Sequence, residues 1–543
     1  MNRRRVLAGV AATATGVLLA ASIGGARAGE TRAVKEGGTF RVVAAGLLNV
    51  IDPAIAGTAV EATVLRPACA GLLAFPDKPL PAGLRVEPDL AVAQPVVSKD
   101  GKTYTFRIRK DARFSDGTPV TARNFVHALE RIFDPSMKSP EAVYFDTIVG
   151  AKEMLDGKTQ TLAGVSAVGR TLTIKLTRRV ADFPIGLAGP VTLCAVPANL
   201  PVIPEGARAP LASPAPYYVS EYVPGERVVL ERNQYYRGPR PHHVDRITVA
   251  IGADPATIFD QVLSGDTDYA LGPPQSFARL AKDVGRRYGV NKSQFFVVPA
   301  PGVRSFMLNT SRPLFRENVK LRQAINFAID RRALTRELGA YAGTVSDQFM
   351  PPTMPGYRDA RIYPLDRPDL RKARALASGR RRSGRAVLYT LSNPVDLAQA
   401  EVLRRNLAAI GIALEVKQFP LQVLFDKLST PGEPFDIGRV SWSGLFDAGF
   451  LAFLFDGRGI GQPISGNWSY FNSTRFNRMF DRAQSLPIGP ARSRAFGEID
   501  VQISRDAAPA IAFGVPNQLT LVSRRVGCVV VNPDLDLTAV CLK

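Results

Sequence analysis

The stretch RSFMLNTSRPLFRENVKLRQAINFAIDRRALTRELG, residues 304–339, decides the fold of the chain around it. Its first part, residues 305–309, is a short apolar run that predicts a buried strand. Asn318 can cap a helix, because its side chain can accept from free backbone N–H groups. Apolar side chains follow at helical spacing, at Leu321, Ala324, Ile325, Ala328 and Ile329. Asp330 can cap a second helix that stops at Gly339. The pattern predicts a strand–helix unit of an α/β domain.

Length and composition limit the class of protein. A chain of 543 residues is too long for a single hydrophobic core, so we expect two or three domains. An apolar content of 46% and a charged content of 22% are typical of a soluble globular protein. The net charge of +21 can attract nucleic acid, an anionic surface or an acidic ligand. The arginines are scattered, and no basic helix is interleaved with aromatic residues, so the sequence does not predict nucleic-acid binding.

The N-terminus has the pattern of a secretory signal peptide. Arg3, Arg4 and Arg5 precede an apolar stretch at residues 10–23, which is too short to span a membrane, and the sequence ARA at residues 26–28 predicts cleavage. We therefore expect export to a periplasmic or extracytoplasmic location. The paired arginines favour the twin-arginine route, with a Sec signal as the alternative. Removal of four arginines and no acidic residue would lower the net charge from +21 to +17.

Later segments predict neither a membrane span nor a lipid anchor. No later apolar stretch reaches about 18 uninterrupted residues, so the mature chain is expected to be soluble, without membrane insertion. No cysteine lies near the predicted cleavage site.

Four cysteines in an exported chain predict two disulfides, with three possible pairings. Cys528 and Cys541 flank a short segment near the C-terminus, so we predict that they pair with each other. Cys69 and Cys194 then form the second pair. Buried free thiols are the alternative.

Motifs for catalysis and cofactors are weak. His127, within a predicted helix, and His242 and His243, in a predicted loop, cannot supply a dedicated three-histidine site, and no Cys/His cluster has zinc spacing. The glycines of GRGIG at residues 457–461 are followed by Pro463 where a phosphate loop needs a helix, so a flexible loop is predicted. No G-x-S-x-G or S-x-x-K motif is present. We therefore predict no enzyme, metal or cofactor, and keep a secreted hydrolase as the alternative of another class.

Other segments predict secondary structure. Strands at residues 386–391 and 412–419 flank a helix at 396–410, which indicates a βαβ unit with parallel strands and a right-handed crossover. Residues 103–109 alternate in polarity and predict a strand with one buried face. A helix is expected over residues 60–73.

Several motifs together resemble the family 5 extracytoplasmic solute-binding proteins, the peptide- and nickel-type receptors of ABC importers. The stretch at 304–339 carries FMLNT, PLF and VKLRQAINFAIDR in order. The most specific match is GKTYTF at residues 101–106, followed by FSDGTPVTA at 114–122. The resemblance covers essentially the whole mature chain.

The resemblance implies an α/β fold of the type II periplasmic-binding-protein-like class, in its three-domain variant. Two α/β lobes joined by a hinge, with an extra inserted domain, would close on the solute, and the closed form would dock on an ABC permease. A monomer is expected. The expected segments are a signal peptide at 1–28, a first domain at 29–71, 213–303 and 510–543, a second domain at 72–212, and a third domain at 304–509.

The resemblance also implies a ligand site. In peptide receptors of the family a strand of the form G-W-x-A-D-Y-x-D-P pairs with the peptide, and its first Asp binds the α-ammonium group. The stretch here is SWSGLFDAG, residues 441–449, with Leu445 at the position of that Asp and Asp447 two residues later. The predicted ligand contacts are Leu48 and Asn49 on a strand of the first domain, Phe306, Asn309, Ser441, Trp442, Ser443 and Asp447. For Trp442 a core position is the alternative.

Leu445 bears on the class of solute. A buried ammonium group needs a carboxylate, because an unpaired charge in a closed cleft is strongly unfavourable. We therefore expect peptides with free N-termini to bind poorly. The solute would be a peptide or peptide-like molecule, with a non-peptide, acidic or N-blocked solute as the alternative.

Overall fold

The structure, a computed structural model, describes residues 35–46, 48–189, 191–272, 274–442, 447–461, 466–532 and 534–543. The predicted signal peptide lies outside these ranges, as do Ser443 and Leu445. Within the ranges, no helix is both long enough and apolar enough to cross a bilayer.

Strands and helices alternate along much of the chain. The strands are β1 Thr39–Ala44, β2 Leu73–Ala74, β3 Glu87–Pro88, β4 Val96–Val97, β5 Thr103–Arg107, β6 Val165–Val168, β7 Thr171–Lys175, β8 Tyr217–Val223, β9 Arg227–Arg232, β10 Arg246–Ile251, β11 Tyr269–Leu271, β12 Phe295–Pro299, β13 Val303–Leu308, β14 Gly343–Val345, β15 Arg385–Leu391, β16 Ala413–Phe419, β17 Ile437–Trp442, β18 Ala510–Leu521, β19 Val526–Cys528 and β20 Cys541–Leu542. The α-helices are α1 Ala59–Leu65, α2 Ala122–Phe133, α3 Ala151–Leu155, α4 Phe183–Leu187, α5 Ile258–Ser264, α6 Pro274–Tyr288, α7 Val319–Ala328, α8 Arg331–Arg336, α9 Leu370–Ala377, α10 Pro394–Ala408, α11 Leu421–Ser429, α12 Phe450–Phe455, α13 Thr474–Ser485 and α14 Pro490–Gln502.

Three larger sheets organise these elements. The first has the order β11-β1-β10-β9-β8, the second the order β4-β5-β7-β6, and the third the order β12-β18-β13-β17-β15-β16 with β14 beside β18. Separate apolar clusters cover the two faces of the third sheet, because side chains of each strand alternate between the faces.

The strands β12 and β18 bear on the domain assignment. Both were predicted to belong to the first domain, but they pair with each other within the third sheet, and β18 also pairs with β13 and β14. Directly after β18, Val522 forms an isolated antiparallel β-bridge with Tyr269 of β11, so the chain returns to the first sheet at this point. The domain boundaries themselves stay predictions.

Residues 304–339 form the expected strand and two helices, β13, α7 and α8. The side chain of Asp330 accepts from the Ala333 N–H at 2.8 Å, as a helix cap does. Asn318 precedes α7, but the predicted reason was wrong, since its side chain makes no capping bond. Its amide instead donates to the carbonyl oxygens of Leu314 (3.0 Å) and Arg380 (2.9 Å), which joins the helix to a neighbouring loop.

The predicted βαβ unit is confirmed. Strands β15 and β16 are parallel neighbours with α10 between them in sequence, and β17 lies parallel to β15 on its other side. The carboxyl ends of three parallel strands therefore meet at one edge of the third sheet.

The predicted helix over residues 60–73 was too long. The α-helix ends at Leu65, a single 3₁₀ turn covers Arg66–Ala68, and β2 begins at Leu73. Pro67 explains the early end, because proline lacks an N–H group and its ring clashes with the preceding helical turn.

Both predicted disulfides are confirmed. Cys69 and Cys194 are joined with Cα atoms 5.1 Å apart, and Cys528 and Cys541 with Cα atoms 4.9 Å apart. The first bridge links residues 125 positions apart in sequence.

A buried ion pair joins the predicted first and second domains. Arg131 donates from Nη1 to Asp52 Oδ1 at 2.9 Å and from Nη2 to Oδ2 at 2.5 Å. The side chains are 1% and 0% exposed. The carboxylate also accepts from the N–H groups of Ala54 and Ala207. The pair is thus fully enclosed, and each charge depends on the other for its compensation.

A second buried ionic cluster includes the C-terminal segment. Arg240 contacts Asp77 at 2.7 Å, and Arg66 contacts both Asp77 (3.2 Å) and Asp536 (3.3 Å). Burial and the neighbouring Asp77 raise the pKa of Asp536 to about 7, against the opposing effect of the two arginines.

Candidate solute-binding site

The end of β17 carries the candidate site. Ser441 is exposed and Trp442 is half-buried at the edge where the three parallel strands end. Ligands of α/β folds commonly bind outside the carboxyl ends of parallel strands. The sequence and the topology therefore point to the same edge.

Two arginines converge on Ser441. Its Oγ accepts from Arg439 Nη1 at 2.8 Å and from Arg304 Nη1 at 3.3 Å. The antiparallel register of β13 and β17 places Arg304 opposite Ser441 and Phe306 opposite Arg439. Opposite residues share a face of the sheet, so both guanidinium groups lie on the same side as the serine hydroxyl.

Negative charge around these arginines is scarce. Arg439 Nε lies 2.9 Å from Asp396 Oδ1, and the Arg439 side chain is 2% exposed. Arg304 Nε is buried and has no hydrogen-bond partner within the described parts of the chain. Burial lowers the pKa of Arg304, and lowers that of Arg439 to about 10, with only partial compensation by Asp396. Two desolvated cations thus face one carboxylate, an arrangement that favours an anionic ligand group.

Trp442 belongs to an aromatic cluster. Its ring centroid lies 5.3 Å from that of Trp468, 5.1 Å from Phe453 and 6.4 Å from Phe425. Its buried Nε1 has no hydrogen-bond partner among the described residues. Trp442 therefore extends the aromatic core to the edge of the sheet.

Asp447 is already paired. Its Oδ1 accepts from Arg492 Nη2 at 3.0 Å and from the Gly449 N–H at 2.7 Å. The Arg492 side chain is 2% exposed, so withdrawal of the carboxylate would leave a buried cation uncompensated. Asp447 is thus poorly suited to replace the family Asp as the partner of a ligand ammonium group.

Leu48 and Asn49 do not form the predicted strand. The first strand ends at Ala44, the Leu48 carbonyl accepts from the Tyr222 hydroxyl at 3.1 Å, and the Asn49 N–H donates to Glu61 at 3.2 Å. The Glu61 carboxylate, part of the α1 capping box, binds this backbone and draws it away from sheet pairing. The Leu48 side chain is buried and that of Asn49 is exposed.

Phe306 and Asn309 lie in the core. Phe306 is fully buried and packs on Phe513, with ring centroids 5.3 Å apart. The Asn309 amide donates to the Phe435 carbonyl at 3.0 Å and its Oδ1 accepts from Ser311. Both side chains pack in the protein interior, and their contact with a solute stays a prediction.

Arg304, Arg439 and Asp396 were not among the residues predicted from the sequence. A signal was present, because both arginines stand within short apolar strands, where a buried cation is rare unless it is paired.

The histidines have local partners. His127 shares a 2.7 Å hydrogen bond with the Leu200 carbonyl, and His243 contacts Glu36 at 2.9 Å. Within the ranges that the structure covers, no group of three or more His, Cys, Asp or Glu side chains is placed to hold a metal ion.

The chain belongs to the bacterial extracellular solute-binding proteins of family 5. The family model, described as "Bacterial extracellular solute-binding proteins, family 5 Middle", matches residues 85–460. The resemblance drawn from the motifs is therefore confirmed, and the family consists of binding proteins.

Individual relatives agree with this assignment. The periplasmic oligopeptide-binding protein OppA of Escherichia coli K12 is 30% identical over 277 residues, which is 50% of each chain. The periplasmic murein peptide-binding protein MppA of the same organism is 25% identical over 505 residues, 89% of each chain. The solved structure of clavulanic acid biosynthesis oligopeptide binding protein 2 is 27% identical, with a TM-score of 0.79 over 94% of this chain and 96% of the other. The type II periplasmic-binding-protein-like fold class is thereby confirmed.

Proposed function

We propose that this protein is the extracytoplasmic receptor of an ABC importer, which captures a peptide or peptide-like solute and delivers it to the permease. Membership of family 5 supports binding rather than the alternative of a secreted hydrolase. The names of the two relatives support a peptide and a periplasmic location. The N-terminal pattern supports export through a cleaved signal peptide, with the twin-arginine route favoured. Capture would proceed by closure of the lobes about their hinge.

We further propose that the solute carries an acidic group at the edge of the third sheet. The observation behind this proposal is the convergence of Arg304 and Arg439 on Ser441 with Asp396 as their close carboxylate. The guanidinium groups of Arg304 and Arg439 have lost hydrating water through burial. A ligand carboxylate would compensate this loss by accepting hydrogen bonds from a charged donor, and such charge-assisted bonds are strong. The solute would lie against residues 441–443, and Asn49 is a further predicted contact.

The N-terminus of a peptide solute lacks an evident partner. Leu445 replaces the family Asp, and Asp447 is held by Arg492. An N-blocked peptide or a non-peptide acid avoids a buried ammonium group and its cost. Such solutes are therefore proposed over ordinary peptides with free N-termini.

Titration calorimetry with matched peptide sets tests both proposals. Each set contains four versions of one short peptide. The N-terminus is either free or acetylated, and one side chain is either acidic or neutral. We expect the acetylated acidic members to bind best, and Arg304→Gln to weaken them about tenfold by loss of one charge-assisted contact. Arg336→Gln, an exposed arginine on α8, is the matched control and should bind as the wild type does.

Micromolar binding of neutral peptides with free N-termini would contradict the proposed solute class. Loss of that binding in Asp447→Asn, with the melting temperature of the wild type retained, would identify Asp447 as the ammonium partner. Native mass spectrometry of protein purified from its own host would reveal a retained solute directly.

A further inference from the structure

A cavity of about 790 Å³ lies between the predicted second and third domains. One wall is formed by parts of residues 84–104 and 179–185, and the other by parts of 355–356, 447–448 and 487–494. Of the predicted solute contacts that the structure describes, only Asp447 lines it. Its volume is typical of a small-molecule site. The cavity is thus a feature separate from Ser441 and its arginines.

Both walls of the cavity are cationic. The basic side chains that line it are Arg85, Lys99 and Arg179 on the second-domain wall, and Arg492 and Arg494 on the third-domain wall. Asp447 is the acidic side chain among the described lining residues. Five cations therefore face one carboxylate, which is itself paired with Arg492. A concave surface with charge of one sign concentrates ligands of the opposite sign.

The N-terminus of α14 adds to this positive field. The helix has 13 residues and begins at the cavity, Gly489 gives it no side-chain cap, and its first turn holds no acidic residue. Arg492 and Arg494 stand near the positive end of the helix dipole, where cations are unfavourable and anions are stabilised. Arg492 is 2% exposed, and its Nε has no hydrogen-bond partner among the described residues. Arg492 thus adds a buried cation, with one N–H group unpartnered among the described residues, to the lining beside the N-terminus of α14.

The cavity walls are held by direct packing. Arg179 Nη2 donates to the Ser485 carbonyl at 2.9 Å, which joins the two walls. Gly356 has a φ of 98° and lies so close to α14 that a Cβ atom there would overlap the Ser493 carbonyl. The backbone at Gly356 is therefore packed directly against the first turns of α14 in the third-domain wall.

We propose that this cavity binds a small polyanion with phosphate or carboxylate groups, at a site additional to the solute site. The anion would be held by cations of both walls and by the N-terminus of α14. It would thereby join the second and third domains. This inference does not depend on the identity of the transported solute.

Calorimetry and thermal denaturation with pyrophosphate and with citrate, at constant ionic strength, test the inference. We expect saturable binding of at least one probe and a higher melting temperature. Arg85→Gln combined with Arg494→Gln removes one exposed cation from each wall and should weaken binding about tenfold. Arg336→Gln combined with Arg371→Gln removes two exposed arginines outside the cavity lining, and should bind as the wild type does.

The pattern of responses decides the inference. Preference for pyrophosphate or for citrate identifies a phosphate or a carboxylate ligand, and either supports the site. Lys99→Gln alone should weaken binding about threefold, which serves as a second variant if the double variant folds poorly. Absence of saturable binding, or equal weakening in the control, overturns the inference. Weakening by Arg304→Gln without weakening by Lys99→Gln also overturns it, because the anion would then occupy the solute site.

Discussion

Removal of Arg131 should destabilise the protein strongly. Arg131→Met deletes two hydrogen bonds to Asp52 and leaves its carboxylate buried with the N–H groups of Ala54 and Ala207 as its remaining partners. A buried ion pair broken at one partner typically costs about 3–5 kcal/mol, because the other charge stays desolvated and uncompensated. The full side-chain burial of both partners places this pair at the upper part of that range.

A matched control separates this effect from the loss of any ion pair. Lys152 pairs with Asp156 four residues later at 3.2 Å, but its side chain is 80% exposed. Lys152→Met should cost about 0.5 kcal/mol or less, as exposed pairs do. Equilibrium urea unfolding of the mature chain, followed by fluorescence and circular dichroism, measures both variants. A cost below about 1 kcal/mol for Arg131→Met, or one equal to that of the control, would refute the argument from burial.

Three further perturbations test other parts of the molecule. Because the raised pKa of Asp536 lets the folded state retain a proton that the unfolded chain releases near pH 4, its contribution to stability should fall as the pH rises from about 4 to about 7. Burial also raises the pKa values of Asp500 and Glu141 to about 7, so Asp536→Asn should make the pH dependence of stability in urea titrations shallower without abolishing it. Replacement of Cys69 and Cys194 by serine should cost about 4–5 kcal/mol, more than loss of the shorter C-terminal bridge, and a urea midpoint that does not move would contradict this. Replacement of the arginines at residues 3–5 by lysine should block export if the twin-arginine route is used, whereas an unchanged periplasmic yield would leave the Sec signal.

The sequence by itself determined the family and the elements with strong local periodicity. The strand and helices at residues 303–336 and the parallel pair around α10 follow from local periodicity, which a short window of sequence contains. Both disulfides followed from the number and spacing of four cysteines in an exported chain. The family assignment rested on several motifs in a fixed order, now matched by the family model over residues 85–460.

The tertiary structure alone decided the partners of the site residues. Arg304 meets Arg439 at Ser441 because of the register between two strands distant in sequence, and a shift of one residue would place Arg304 on the opposite face from the other two side chains. Arg492 neutralises Asp447 from a helix 45 positions away in sequence. Which charge meets which partner depends on packing between elements, and local sequence carries no record of that packing.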